Sequence, residues 1–484
     1  MIEQCANSTR AARLPAENHP SELLVDPEAI RNEGDQHRGR ELSAAAVTLL
    51  AMTSDSRLAR RLGVTDAVII GLGSMIGAGV FAAFGPAAKA AGTGLLIGLA
   101  IAAVIAYCNA TASAQLAAEF PTSGGTYIYG RERLGPWWGF TAGWGFVIGK
   151  SASCAAMALT FASYAVPGPW WVQRPAAAVA VLALAWLNCR GVTKTAALSR
   201  VLVGATLLVL AALVLGIAVF GQPSVANLGG WPAVRSGGWY GVLQSAGLLF
   251  FAFAGYARIA TMGEEVRDPQ RTIPRAIPLA LAITIVVYLL VGSSVLLAAG
   301  PDRLAAATAP LATAVRAAGV GALAPVVRLG AALASLGALL ALIAGVGRTS
   351  LAMARHRDLP GWLAAVHPRY RVPHHAETGL AVLVAVLVLT VDLRGVIGFS
   401  SFGVLVYYAI ANAAAASQPR ELRRWPRPFN VLGFVGCLVL VATLPWQSAV
   451  AGLVMFAVGL AGRAWVLRRR ANERSESAPS GVHP

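Results

Sequence analysis

The chain has 484 residues, 56% hydrophobic and 13% charged, with a formal net charge of +17. Soluble globular chains carry roughly 45–50% apolar and about 25% charged residues; here the apolar residues come in runs of about 18–28, enough to cross a hydrocarbon core of about 30 Å. An ordinary soluble domain is therefore excluded. Because the basic residues lie between the runs and form no single patch, their charge reads as membrane topology, with lipid as the surrounding partner and no nucleic acid.

Residues 1 to about 62 are polar, mix acids with arginines and contain no apolar core, which predicts a disordered cytoplasmic tail without a cleavable signal peptide. Twelve spans follow, near 66–88, 93–118, 138–164, 172–189, 197–220, 240–262, 276–299, 323–353, 377–393, 396–417, 429–445 and 447–467. They define a transporter domain over 63–467, and a second cytoplasmic tail is expected over 468–484. The fold class is an all-α polytopic membrane protein.

Basic residues mark alternate loops: Arg57, Arg60 and Arg61 before the first span, Arg131 and Arg133 after the second, and Arg190, Lys194 and Arg200 after the fourth. Arg267, Arg271 and Arg275 follow the sixth, Arg355, Arg357, Arg369 and Arg371 the eighth, and Arg420, Arg423, Arg424 and Arg427 the tenth. The other loops hold few, such as Arg174, Arg235, Arg303 and Arg394. Excess Lys and Arg marks the cytoplasmic side, so both termini are placed inside the cell membrane. Lys89, Lys150 and Lys194 are the only lysines, and this arginine bias suggests a GC-rich bacterial genome. The polar loop Glu119–Gly139 is expected at the cytoplasmic interface. Fifty-one glycines suit close helix packing, and Cys5, Cys108, Cys154, Cys189 and Cys437 read as small packing residues.

The first span reads GLGSMIGAGVF over Gly71–Phe81, with four glycines in the nine residues to Gly79. Each weakens a helix by roughly 1 kcal/mol relative to alanine. A small-residue packing face with Gly73 and Gly77 is the plain alternative; a phosphate-binding loop is excluded, because the run sits inside an apolar span and not between a strand and a soluble helix. The sixth span carries a second irregularity, FFAFAGY, over Phe250–Tyr256. Paired interruptions at corresponding positions point to a transporter site between two repeats, here about 66–220 and 240–417, with further helices over 429–467. Freed N–H groups at a half-helix start favour a carboxylate, and freed carbonyls can accept from an ammonium group. Together they make a receptor for a zwitterion such as an amino acid.

At these residues the chain resembles the amino acid–polyamine–organocation (APC) transporter superfamily. GSMIGAGVF resembles that family's first-helix signature. FFAFAGYARIATMGEEVRDPQRTIPRAI, residues 250–277, is similar to its sixth helix and following loop, and RTSLAMARHRDLP (348–360) with HPRYRVP (367–373) to a later cytoplasmic loop. The likeness covers about residues 60–465. It implies a five-plus-five inverted repeat with broken helices 1 and 6, plus two extra helices. It also implies that Ile76, Gly77, Ala78 and Gly79 hold the substrate carboxylate, that Ser74 lines the bend, and that Phe251 is an aromatic gate. The carbonyls of Phe251, Ala252 and Ala254, with Gly255 beside them, would face the substrate ammonium; Ala254 stands where the family often has glycine.

Lys150 lies mid-span, beyond snorkelling reach of either interface. A charge there costs about 2.5–3.5 kcal/mol or more, which argues for a polar cavity, a partner or a lysine that stays neutral; a purely structural lysine bonded to carbonyls is the plain alternative. Many proton-coupled family members place a lysine in helix 5, where this chain has Thr206, so Lys150 is expected to take over the coupling role. Thr206 and Ser335 leave sodium coupling open. Arg258 reads as snorkelling to the interface; facing the pathway instead, it and Lys150 would both disfavour a cationic substrate side chain. Glu264, Glu265 and Asp268 read as partners of Arg267, Arg271 or Arg275. His356, His367, His374 and His375 lack metal-ligand spacing, so no metal is expected, and no cofactor beyond a coupling proton or sodium ion. The span interiors hold no catalytic pair of acids and no Ser/His arrangement, which argues against an enzyme. The function expected is secondary active transport of amino acids across the cytoplasmic membrane by alternating access, proton-coupled or by exchange. A binding sensor or scaffold that does not transport is the alternative. Oligomeric state is not specified by the sequence.

Overall fold

Every interval read as a span falls on helix in the structure, a computed structural model that describes residues 62–122, 124–190, 196–228 and 237–476. Arg57, Arg60, Arg61, Lys194, Arg235 and Cys5 lie outside the described residues, as does nearly all of the N-terminal tail. The first span comprises α1 (Val64–Met75), α2 (Ala78–Ala82) and α3 (Phe84–Ala91), and α4 (Leu95–Glu119) follows. A short helix, α5 (Thr126–Leu134), occupies the polar loop before α6 (Pro136–Ala165), α7 (Trp170–Cys189) and α8 (Ala196–Phe220). Next, α9 (Gly238–Phe253) passes through a 3₁₀ turn into α10 (Ala257–Ala260). The remainder is α11 (Pro269–Ala306), α12 (Pro310–Ala317), α13 (Ala324–Arg355), α14 (His374–Thr390), α15 (Leu393–Ala416), α16 (Arg427–Thr443) and α17 (Trp446–Glu476).

Among the described residues, ten helical stretches are long and apolar enough to cross a membrane, and α14 and α16 are shorter apolar helices. Each of these two has 17 residues, about 26 Å at the helical rise and so near the lower limit for a crossing. No strand occurs among the described residues beyond one parallel bridge between Leu62 and Val266. An all-helical membrane architecture follows from the burial pattern too. The apolar windows of α6 and α15 are 83% buried, whereas that of α17 is 22% buried. Large apolar side chains such as Leu208, Leu215 and Phe220 on α8 and Leu453 and Val458 on α17 face outward. In water such stripes would be a liability; in lipid they are the expected surface. One boundary differs from expectation: α17 continues past Arg468 to Glu476, and Arg470 ties the extension down by donating to the Arg357 carbonyl at 3.3 Å.

The two sets of loops segregate by contact. Leu62 pairs with Val266, Arg133 with Glu119, Gln418 with Glu119 at 2.6 Å, and Arg131 with Asp358 at 3.4 Å. All of these belong to the loops read as cytoplasmic. At the other end Arg174 donates to the Leu389 carbonyl at 3.0 Å, and Arg394 to that of Ala305. The acids after the sixth span differ from expectation. Asp268 pairs with Arg271 at 3.7 Å, but Glu265 is taken by Arg348 of α13, because the loop folds back across the bundle.

Asp358 knots three elements together, accepting from Tyr127 of α5 at 2.8 Å and from Arg463 of α17 at 2.6 Å besides Arg131. Burial, and then the Asp358 carboxylate, push the Tyr127 phenol above its ordinary range, so it donates as a neutral hydroxyl. Asp358 and Arg463 expose only 8% and 7% of their side chains, and removing one partner of such a pair costs about 3–5 kcal/mol. Asp358→Ala is therefore expected to lower the thermal unfolding midpoint of the detergent-purified protein, followed by tryptophan fluorescence. An unchanged midpoint would show that the knot contributes nothing.

Candidate functional site

The helix in the first span breaks where its glycines cluster. α1 ends at Met75, Ile76 (φ −83°, ψ 56°) and Gly77 (φ −111°, ψ −136°) leave helical geometry, and α2 resumes at Ala78. No side chain caps the start of α2, so its first-turn N–H groups are the kind that ordinarily seek an external acceptor. The second interruption is tighter than the seven-residue stretch Phe250–Tyr256 suggested: α9 stays regular to Phe253, and only Ala254–Tyr256 narrow to a 3₁₀ turn. Alanine in place of glycine accounts for this, holding Ala254 near helical dihedrals (φ −66°, ψ 4°).

The two interruptions are pressed against each other. A Cβ built on Gly255 would lie 2.3 Å from the Ser74 carbonyl oxygen, and one on Gly79 would lie 2.6 Å from Ala252 Cα. Only glycine permits either approach. Tyr288 of α11 bridges the same junction: its hydroxyl lies 2.6 Å from the Met75 carbonyl oxygen and 3.0 Å from that of Ala252. One hydroxyl carries one proton, so it cannot saturate both carbonyls at once. The Ala254 carbonyl accepts from Lys150 Nζ of α6 at 3.1 Å and from the Tyr408 hydroxyl of α15 at 3.3 Å.

Lys150 is 5% exposed and lines a cavity with Ser74, Phe251, Ala254, Gly255 and Arg258. Its volume open to water-sized molecules is about 40 Å³, room for a few waters, so a larger ligand needs the flanking helices to part. Arg258 lines this cavity, and Glu265 of the following loop lies 4.0 Å from its guanidinium. A second cavity of about 50 Å³ is lined by Ser74, Ile76 and Thr206 among others. The Thr206 hydroxyl donates to Leu202 of its own helix at 2.8 Å. Ser335 is fully buried, its hydroxyl has no partner, and it lines neither cavity. Gly77, Ala78 and Gly79 are buried at the break itself.

Towards the other end of the bundle a second tyrosine joins three elements. The Tyr164 hydroxyl donates to the Phe81 carbonyl at 2.9 Å and accepts from the Leu311 amide at 3.2 Å, with its ring packed edge-on to Phe81. Tyr288, Tyr408 and Tyr164 were missed in the sequence. Their signal was present, since a tyrosine inside an apolar span needs a partner for its hydroxyl, but nothing in the sequence says which. The cysteines behave as read: Cys108, Cys154, Cys189 and Cys437 are free thiols.

The glycine at the junction provides a direct check. Gly255→Ala places a methyl group into the Ser74 backbone, and overpacking of this kind costs about 1–3 kcal/mol. The variant is expected to lower the unfolding midpoint, whereas Gly204→Ala, where a Cβ would meet nothing within 4 Å, is expected to leave it level or raise it. Equal behaviour of the two in a detergent thermal melt would contradict the close approach.

The sequence model of the amino acid permease family matches residues 62–459. An uncharacterized transporter of Mycobacterium tuberculosis is 58% identical, with 88% of this chain and 94% of that protein covered. A branched-chain amino acid permease of Bacillus subtilis is 27% identical, covering 85% and 94%. Cationic amino acid transporter 7 of Arabidopsis thaliana is 30% identical, covering 82% and 73%. With two helix interruptions meeting at one point and the family match spanning nearly all the helices, the chain belongs to the amino acid permease family of the APC superfamily and is a multi-pass membrane transporter.

Proposed function

We propose that the protein carries amino acids across the cytoplasmic membrane by alternating access in a five-plus-five inverted repeat with two additional helices. The observation that carries this reading is the meeting of Gly255 with the Ser74–Met75 backbone, which brings the freed groups of two broken helices to one place. The substrate carboxylate would sit on the backbone amides of Ile76, Gly77, Ala78 and Gly79, at the positive end of the half-helix. Its ammonium would be met by carbonyls from Phe251 to Ala254, in competition with Tyr288 and Lys150. Phe251, which lines the cavity, would cover the bound substrate. The names of the Bacillus and Arabidopsis relatives support an amino acid as cargo. With the arginine-rich loops inside, both termini are cytoplasmic. The cavity at Lys150 and Arg258 then opens toward the cytoplasm, and the Phe81–Tyr164–Leu311 contacts form the closed outer side.

The coupling ion in this reading is a proton carried by Lys150. As an ammonium it holds the Ala254 carbonyl at the second break; losing the proton weakens that charge-assisted bond and frees the break to rearrange. Binding and flux are both testable. Among the twenty amino acids and several polyamines, at least one amino acid is expected to raise the unfolding midpoint of the purified protein and to accumulate in proteoliposomes. Saturable binding without accumulation or exchange would instead identify a sensor. At saturating substrate, Lys150→Met is expected to abolish accumulation driven by an imposed pH gradient while substrate exchange persists. Gradient-driven uptake that survives the substitution would rule out Lys150 as the carrier, and a requirement for sodium would redirect attention to Thr206 and Ser335.

A further inference from the structure

The cavity beside the two breaks has charge of one sign only. Lys150 and Arg258 both line it, together with the hydroxyl-bearing Ser74, Ser153 and Thr261, and none of its described lining residues is acidic. Of the three donors on the Lys150 ammonium, one meets the Ala254 carbonyl. Arg258 has Glu265 at 4.0 Å, but Glu265 already pairs with Arg348. Arg258 Nη1 is buried and has no hydrogen-bond partner. A buried charged donor without an acceptor is costly.

The closed end of the path has the same character. A shallow vestibule of about 500 Å³ beside Tyr164 is lined by Arg316 and Arg328, again with no acid among its described lining residues. Basic residues at the mouth and in the cavity attract anions and raise their local concentration. A third positive charge would meet only repulsion along this route, and an apolar side chain would leave the Arg258 donor unmet. A carboxylate would give the Arg258 donor an acceptor, since the planar guanidinium suits two-point contact with carboxylate oxygens, in a cavity that the Lys150 ammonium also lines.

We propose that the Lys150–Arg258 cavity binds a second carboxylate, carried on the substrate's side chain, so that the transported amino acid is a dicarboxylic one. This rests on the amino-acid reading above and supplies the side chain which that reading leaves undefined. The α-carboxylate stays at the first break, and the cavity selects what lies beyond it.

The test is isothermal titration of the purified full chain with aspartate, glutamate, glutamine, leucine, lysine and the amine-free dicarboxylate glutarate. Aspartate or glutamate is expected to bind at least about 10-fold more tightly than glutamine, with no measurable binding of lysine. Lys150→Met and Arg258→Met are each expected to weaken the acidic ligand by about 10-fold or more while changing glutamine by less than about 3-fold. Lys150→Arg and Arg258→Lys keep the charge and are expected to retain most of the affinity, which guards against variants that simply fail to fold. Binding of leucine or lysine with the acidic amino acids inert overturns the anion site and leaves the amino-acid reading standing. Equal weakening of glutamine and glutamate by the methionine variants also overturns it, because the cavity would then hold the α-carboxylate. Glutarate bound in the absence of any amino-acid binding keeps the anion site and removes the amino-acid reading; no binding by any of the six removes both.

Discussion

Backbone carbonyls freed inside a bundle as thick as a bilayer have no water to turn to, and each must find a donor from the protein or from a ligand. At Met75, Ala252 and Ala254 the donors are Tyr288, Tyr408 and Lys150, drawn from α11, α15 and α6. Much of the surrounding architecture follows from that demand. The three helices that supply the donors must converge on the breaks, and α6 and α15 are accordingly among the most enclosed spans. Gly255 and Gly79 let the broken helices approach closely enough for one tyrosine to reach both. The satisfaction is incomplete, because the Tyr288 proton is shared between two acceptors. On the proposed reading, this shared proton leaves room for a ligand's ammonium to replace a protein donor.

Charge is placed with the same economy. Most arginines lie in loops at one end of the bundle, where Asp358, Glu119 and Glu265 tie them together. Lys150 is different, since it is buried in mid-span, in a cavity whose described lining residues include no acid. A cation in that position is a burden on folding and an asset for recognition. On the proposed reading, a substrate would respond both to its protonation state and to its need for an acceptor.

The helices and the site of the first break were legible in the sequence because both depend on local properties. Apolar runs report spans directly, and clustered glycines at Gly73, Gly77 and Gly79 report low helix propensity. The second break was located correctly but its extent was not: the sequence marks seven irregular residues, and only Ala254–Tyr256 leave the α-helix. Arg258 was read as snorkelling because rise and side-chain length allow it; that it also lines the cavity beside Lys150 depends on helix packing and not on its neighbours in sequence. The partner of Glu265 was missed for the same reason, as Arg348 lies on a helix far along the chain.

What the sequence determined by itself was thus everything that hydropathy, glycine content and charge spacing encode within one turn or one span: an all-helical membrane protein, two interrupted helices and a lysine buried in mid-span. What only the tertiary structure decided was which groups meet. That Lys150 bonds to Ala254, that Tyr288 joins Met75 to Ala252, and that Arg258 shares a cavity with Lys150 all depend on crossing angles between helices distant in sequence. Those angles are set by the packing of many small side chains at once, and no single stretch of the chain contains them.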